Sequence, residues 1–246
     1  MGLLAATDYQ HLLDVETARL GGVDEATLGL EIPHLEGWTV HTVVGHTGWI
    51  FRYVAKSLQS PPGEKPSRSS VGEPPVGAQV LAWFAAGADE LRTVLANTDL
   101  DQLRPTWTGP QPARWWLRRV SHEIAMHRWD AYAPIGRPEP IGAEQARDGV
   151  DEVLEVFVPN RLQFDKLAGT GETIHLHAND IEAGEWLLEL GSQEVRWERS
   201  HAKGDVAARG TASDLLLLLW SRITPADVET FGDAGLLDRW QRAAAF

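Results

Sequence analysis

Apolar positions in the first half of the chain recur at helical spacing. Residues 6–20, ATDYQHLLDVETARL, align Tyr9, Leu12, Leu13, Thr17 and Leu20 on one stripe, and the Gly21-Gly22 pair stops it. After the loop LEIPHLEGW, Thr39 offers an N-cap for a helix over 40–58. Its apolar face carries Val40, Val43, Val44, Ile50, Phe51 and Val54. Residues 60–76, SPPGEKPSRSSVGEPPV, form a Pro/Ser/Gly loop of a length associated with mobility or function. A third amphipathic helix is predicted over 77–97. Pro110 and Pro112 introduce a fourth, over 113–132. No strand pattern falls among the four, so a four-helix bundle is expected over 1–138.

The segment APIGRPEPIG, 133–142, is dense in Pro and Gly and reads as a linker. The periodicity changes after it. Residues 143–166 predict a helix interrupted near Pro159. ETIHLHAND, EWLLEL and EVRWERS then alternate as three short strands, with a fourth candidate at 204–210. A Leu-rich helix over 211–221 has Thr211 or Ser213 as its cap, and a last helix covers 233–244. The expectation for 139–246 is a smaller α+β domain, an antiparallel sheet covered by helices.

Composition narrows the functions. The chain has 246 residues and a net charge of −13, which works against nucleic-acid and membrane-surface roles. Its apolar runs are too short for a spanning helix. MGLLAATDYQ has no basic segment followed by an apolar stretch, so it does not read as a signal peptide; a cytoplasmic location is expected. Without cysteine, the protein has no thiol nucleophile or Cys-ligated metal of its own, and any thiol chemistry needs a thiol brought by a cofactor.

The densest chemistry lies in SHEIAMHRWD, 121–130. A helix turns about 100° per residue, so Glu123 and His127 share a face while His122 points about 140° away from His127. The stretch is therefore not an HExxH protease motif. Two ligands fall short of a catalytic zinc, which usually takes three protein groups and an open position. His46 sits on the face of its helix that carries Val43, Ile50 and Tyr53, and is the inward candidate for the third. On spacing alone another reading stands beside this one: a satisfied core histidine, and a Glu123–His127 pair that bond each other.

Two stretches, GWTVHTVVGHTGW (37–49) and RRVSHEIAMHRWDA (118–131), resemble the mycothiol-dependent maleylpyruvate isomerase family. So do IPHLEGWTV and the C-terminal run GTASDLLLLLWSR…FGDAGLLDRW. The resemblance spans essentially the whole chain. It implies a DinB-like metal-binding four-helix bundle followed by a sterol-carrier-like C-terminal domain. It implies a divalent metal, usually zinc, on His46, Glu123 and His127, with mycothiol as thiol cosubstrate and a small electrophile as substrate. In the isomerase version the thiolate adds to a cis double bond, the adduct rotates and elimination follows; in the broader family the thiol stays on as an S-conjugate. Two other functions remain open at this point: a non-catalytic metal-binding module, and a two-His-one-carboxylate iron oxygenase.

Other residues have paired readings. Asp130 is either an outer partner for His127 or an ion-pair partner of Arg128 or of another helix. Arg222 is either a clamp for a substrate carboxylate or a salt-bridging residue. His41 is either near the mouth of the site or a solvent position in the first turn of its helix, the second being preferred. His34 and His201 fall in loops or on strand faces. His175 and His177, two apart on one strand face, are read as surface or interdomain residues rather than a second metal site. Trp49, Trp115, Trp116 and Trp129 are assigned mostly to the core, with one available to line a pocket.

Overall fold

The computed structural model describes residues 4–244. The chain divides into two compact units, Leu4–Glu139 and Pro140–Phe246.

The first unit holds helices α1 (Ala6–Gly21), α2 (Val40–Gln59), α3 (Gln79–Ala96) and α4 (Arg114–Tyr132). Their apolar stripes meet in one core that includes Leu20, Val43, Phe51, Phe84, Leu117 and Ile124. Thr39 caps α2 by accepting from the Thr42 amide at 3.3 Å. Helices α2 and α3 approach closely at Gly48 and Gly87. A Cβ on Gly48 would lie 2.8 Å from the Trp83 ring and 3.0 Å from the Phe84 backbone. Helices α1 and α4 are joined by a buried ion pair, Arg128 Nε to Glu16 Oε2 at 2.6 Å. Losing either partner of such a pair strands a charge in the core.

One element of this unit departs from the sequence expectation. Strands β1 (Leu103–Thr106) and β2 (Gly109–Pro112) form an antiparallel hairpin ahead of α4. Its three prolines hide the strand pattern, and a two-stranded ribbon tolerates them because both strands are edges.

The second unit begins with α5 (Ala143–Glu152), a π-turn at Val153–Phe157, then short α6 (Val158–Arg161) and α7 (Phe164–Leu167). Pro159 lies in the first turn of α6, directly after the π-turn; the helical run is not broken there but continues through it to Arg161, with the π-turn as its irregularity. Strands β3 (Glu172–Ala178), β4 (Glu185–Leu190), β5 (Val195–Glu198), β6 (Val206–Gly210) and β7 (Glu229–Gly232) form one sheet in the order β5-β4-β3-β6-β7. Three pairings are antiparallel; β3–β6 is parallel. The edge strand β7 is largely exposed and so has no alternation to read in sequence. Helix α8 (Ala212–Leu219) is capped by Thr211 in a reciprocal box with Asp214, while Ser213 accepts from the Ile141 amide. Helix α9 (Gly235–Ala243) closes the chain. Ile174, Leu176, Trp186 and Leu188 form one buried face of the sheet, which leaves His175, His177 and Glu185 on the other. Among the described residues no helix is long and apolar enough to cross a membrane.

Candidate metal centre

Helices α2 and α4 bring His46, Glu123 and His127 together, 77 residues apart in sequence at the widest hydrogen-bonded pair. Glu123 Oε1 lies 3.0 Å from His46 Nε2 and 3.3 Å from His127 Nε2. The three ligand atoms lie within 4.8 Å of one another. The two imidazole rings stand edge to face, centroids 5.0 Å apart. His122 takes no part: it is buried on another face of α4, edge-on to Tyr9.

The far side of each α4 group is held. Arg119 donates to Glu123 Oε2 at 2.5 Å, which turns Oε1 toward the histidines. Asp130 Oδ2 lies 2.9 Å from His127 Nδ1, and Asp130 Oδ1 lies 2.6 Å from His34 Nε2. With Nδ1–H donated to a carboxylate, Nε2, the atom aimed at Glu123, is the nitrogen of His127 left to take either a proton or a metal. Arg128, the other partner considered for Asp130, reaches Glu16. Trp38 stacks on His127 at 5.9 Å and meets His46 edge-on at 5.1 Å.

Charge is distributed to match. Burial works against the Glu123 carboxylate, but Arg119 and His127 outweigh it and hold its pKa well below the ordinary value. Burial also opposes charge on His127; the Glu123 charge and the Asp130 hydrogen bond prevail and raise its pKa to about 9. A cation is thus favoured between these groups, whether a proton or a metal. Two imidazole nitrogens and one carboxylate oxygen, oriented by outer partners, fit a divalent transition metal with a remaining position to spare.

Of the three groups, His46 lines a pocket of about 520 Å³, together with Trp38, His41, Thr42, Trp49 and Arg68, among others. His46 is the most exposed ligand, at 31 % of its side chain, against 9 % for His127. The long loop 60–76 supplies a wall, with Arg68, Ser69, Glu73 and Pro74 in the lining. Of the two readings of His41 the less favoured one fits: it lines this pocket and reaches the Pro75 carbonyl at 3.0 Å. Of the four tryptophans near the motifs, Trp49 lines the pocket beneath Arg68, whose guanidinium carbon is 4.6 Å from the ring centroid.

Arg222 belongs to the second unit. It donates to the Trp220 carbonyl at 3.0 Å and lies 5.8 Å over that ring. In the same unit His175 and His177 are not isolated surface residues. They converge with Glu185 and His201 into a second cluster.

Sequence reading missed His34, Trp38, Arg119 and Arg68 as neighbours of the site. His34 and Trp38 lie in IPHLEGW, a loop without the periodicity that would place them. Arg119 stands one helical turn before Glu123, the spacing of an i,i+4 ion pair. Nothing in the loop marks Arg68 out.

The sequence matches two family profiles. Residues 10–132 match the Mycothiol maleylpyruvate isomerase N-terminal domain, and residues 144–239 match the MDMPI C-terminal domain. No curated protein sequence gives a significant match. Among solved structures, the chain is similar to the mycothiol-dependent maleylpyruvate isomerase, with a TM-score of 0.65 at 16% identity, over 92% of this chain and 93% of that one. It is similar also to a histidine-to-alanine mutant of that enzyme, with a TM-score of 0.64 at 16% identity and the same coverage. The likeness to these structures concerns the fold; the two profiles, in chain order over most of the sequence, place this chain in the mycothiol maleylpyruvate isomerase family.

Proposed function

We propose that the protein is a divalent-metal- and mycothiol-dependent enzyme that adds a thiol to an electrophilic small molecule. The observation that carries this reading is the convergence of His46 Nε2, Glu123 Oε1 and His127 Nε2 beside an open pocket, in a chain of this family. Zinc is the metal we assign to the trio; when bound it would lower the pKa of a coordinated thiol and supply thiolate at neutral pH.

The chain's own residues have separable tasks. Arg119 keeps Glu123 ionised and turned toward the histidines. Asp130, backed by His34, fixes the tautomer of His127. Trp38 and Trp49 give the pocket apolar walls that limit water around the sulfur. Arg68, exposed on the pocket rim, is the bundle's candidate for a substrate carboxylate. Arg222 is the candidate in the second unit.

The chemistry balances without an oxidant or reductant. Sulfur bonds to one alkene carbon, and the π electrons move onto a conjugated carbonyl. Rotation about the former double bond, now single, and return of the electrons break the C–S bond, expel the thiolate and leave the trans alkene. If the carbanion is protonated instead, the product is a stable S-conjugate.

The test is an assay of the metal-loaded protein with mycothiol and maleylpyruvate. Turnover with the thiol recovered marks an isomerase; consumption of thiol and electrophile one for one marks an S-transferase. Activity that survives removal of both metal and thiol overturns the reading. Substituting Arg68→Gln and Arg222→Gln singly identifies the carboxylate clamp, as the one whose loss raises KM with kcat little changed.

A further inference from the structure

The second unit carries a cluster for which the thiol chemistry has no use. His175 and His177 project from β3 on the face opposite the buried Ile174 and Leu176. The antiparallel register sets Glu185 of β4 directly across from His177, with His175 one step along the diagonal. The connection from β5 to β6 spans only residues 199–205. It joins two strands that both run parallel to β3, and it brings His201 to the same spot.

The three imidazoles meet at one carboxylate. Glu185 Oε2 lies 3.0 Å from His175 Nε2 and 2.5 Å from His201 Nδ1, and Oε1 lies 3.5 Å from His177 Nδ1. The four ligand atoms lie within 4.8 Å of one another. The ring centroids form a nearly equilateral triangle with sides of 5.7, 5.9 and 6.0 Å. Three imidazoles bound tetrahedrally at the usual zinc–nitrogen distance would have centroids about 5 Å apart. The rings are therefore within about 1 Å of coordinating positions, a shift that His201, with 79 % of its side chain exposed, is free to make.

We propose that His175, His177, Glu185 and His201 form a second metal site, taking a borderline transition-metal dication such as zinc and fastening the β5–β6 connection to the sheet. Three nitrogens and one oxygen select against magnesium and calcium, which prefer all-oxygen shells. Four protein ligands complete a tetrahedron, the signature of a structural rather than a catalytic ion. Without metal, the nitrogens that face Glu185 must carry protons to bond it. With metal, they offer lone pairs, so metal and protons compete for them and binding weakens at low pH. The ionised state of Glu185 agrees: burial works against it, but hydrogen bonds from His201 and His175 hold its pKa below the ordinary value.

The experiment is equilibrium dialysis of the full-length, chelator-stripped protein against zinc, with metal counted by mass spectrometry. Wild type is expected to bind two equivalents. The double variant His177→Gln/His201→Gln is expected to bind one, and so is Glu123→Gln/His127→Gln, which keeps the sheet cluster intact. Zinc should also slow amide exchange across 199–205 in wild type and in the Glu123→Gln/His127→Gln variant. It should have no such effect in the exposed single variant His201→Gln. The proposal is overturned if the Glu123→Gln/His127→Gln protein binds no zinc, or if His177→Gln/His201→Gln binds as much as wild type. Because each cluster is removed separately, failure of one site is read independently of the other.

Discussion

The two His/carboxylate clusters use the same side chains for opposite architectures. In the bundle, the proposed ligands come from two helices and every α4 group is gripped from behind: Glu123 by Arg119, His127 by Asp130, and Asp130 by His34. In the sheet, both oxygens of Glu185 are taken up by the histidines themselves. The first arrangement spends side chains on orientation and stops at three ligands beside a pocket. The second gathers four ligands, one of them on a seven-residue connection. Orientation with a vacant direction serves catalysis, whereas a filled shell serves to hold a segment in place.

The contrast can be broken by mutation. The largest effect is expected at the bundle ligands: His127→Ala or Glu123→Gln should abolish thiol-dependent turnover, since such a metal provides most of the activation of its nucleophile. His177→Gln/His201→Gln should leave turnover within about twofold of wild type, because its site lies outside the reaction. Steady-state assays under saturating zinc check both.

Next comes the outer support. Asp130→Asn should weaken metal binding at the bundle about 10–100-fold, because the amide no longer fixes the His127 tautomer. Competition with a chromogenic chelator measures this, and zinc binding at the sheet cluster should not change.

A packing change should act through the fold instead. Gly48→Ala places a methyl against Trp83 and the Phe84 backbone, where α2 and α3 have no room. It should cost about 1–3 kcal/mol in denaturant unfolding and displace the helix that carries His46.

The smallest effect is on pH dependence. In metal-free protein the raised His127 pKa means that the folded state binds its proton more tightly than the unfolded state. That stabilisation is fully present below pH 6.5 and is lost as pH rises through about 9. The stability gap between metal-free wild type and His127→Gln should therefore narrow from pH 6 to pH 10. By the same linkage, zinc affinity at the bundle should rise with pH until His127 is neutral.

The bundle was legible because its period is strong and local. The stripes of α1 to α4, the Thr39 cap and the shared face of Glu123 and His127 all follow from residues within a few turns of one another. The hairpin at 103–112 and strand β7 were not legible, the first masked by prolines and the second lacking a buried face. Partners that depend on tertiary placement were also hidden. Only the fold shows that His34 meets Asp130 across 96 residues, or that the loop with Arg68 walls the pocket. The sheet cluster shows the same limit: His175 and His177 were visible as a pair. Their meaning changed only when strand register put Glu185 opposite and a crossover brought in His201.

The central claim is that His46, Glu123 and His127 hold one divalent metal. Its most direct test is metal content after zinc reconstitution in a His177→Gln/His201→Gln background, where the sheet cluster no longer contributes. That protein should carry one zinc, and adding His46→Ala, Glu123→Ala or His127→Ala should each remove it. Full occupancy in all three variants would contradict the account.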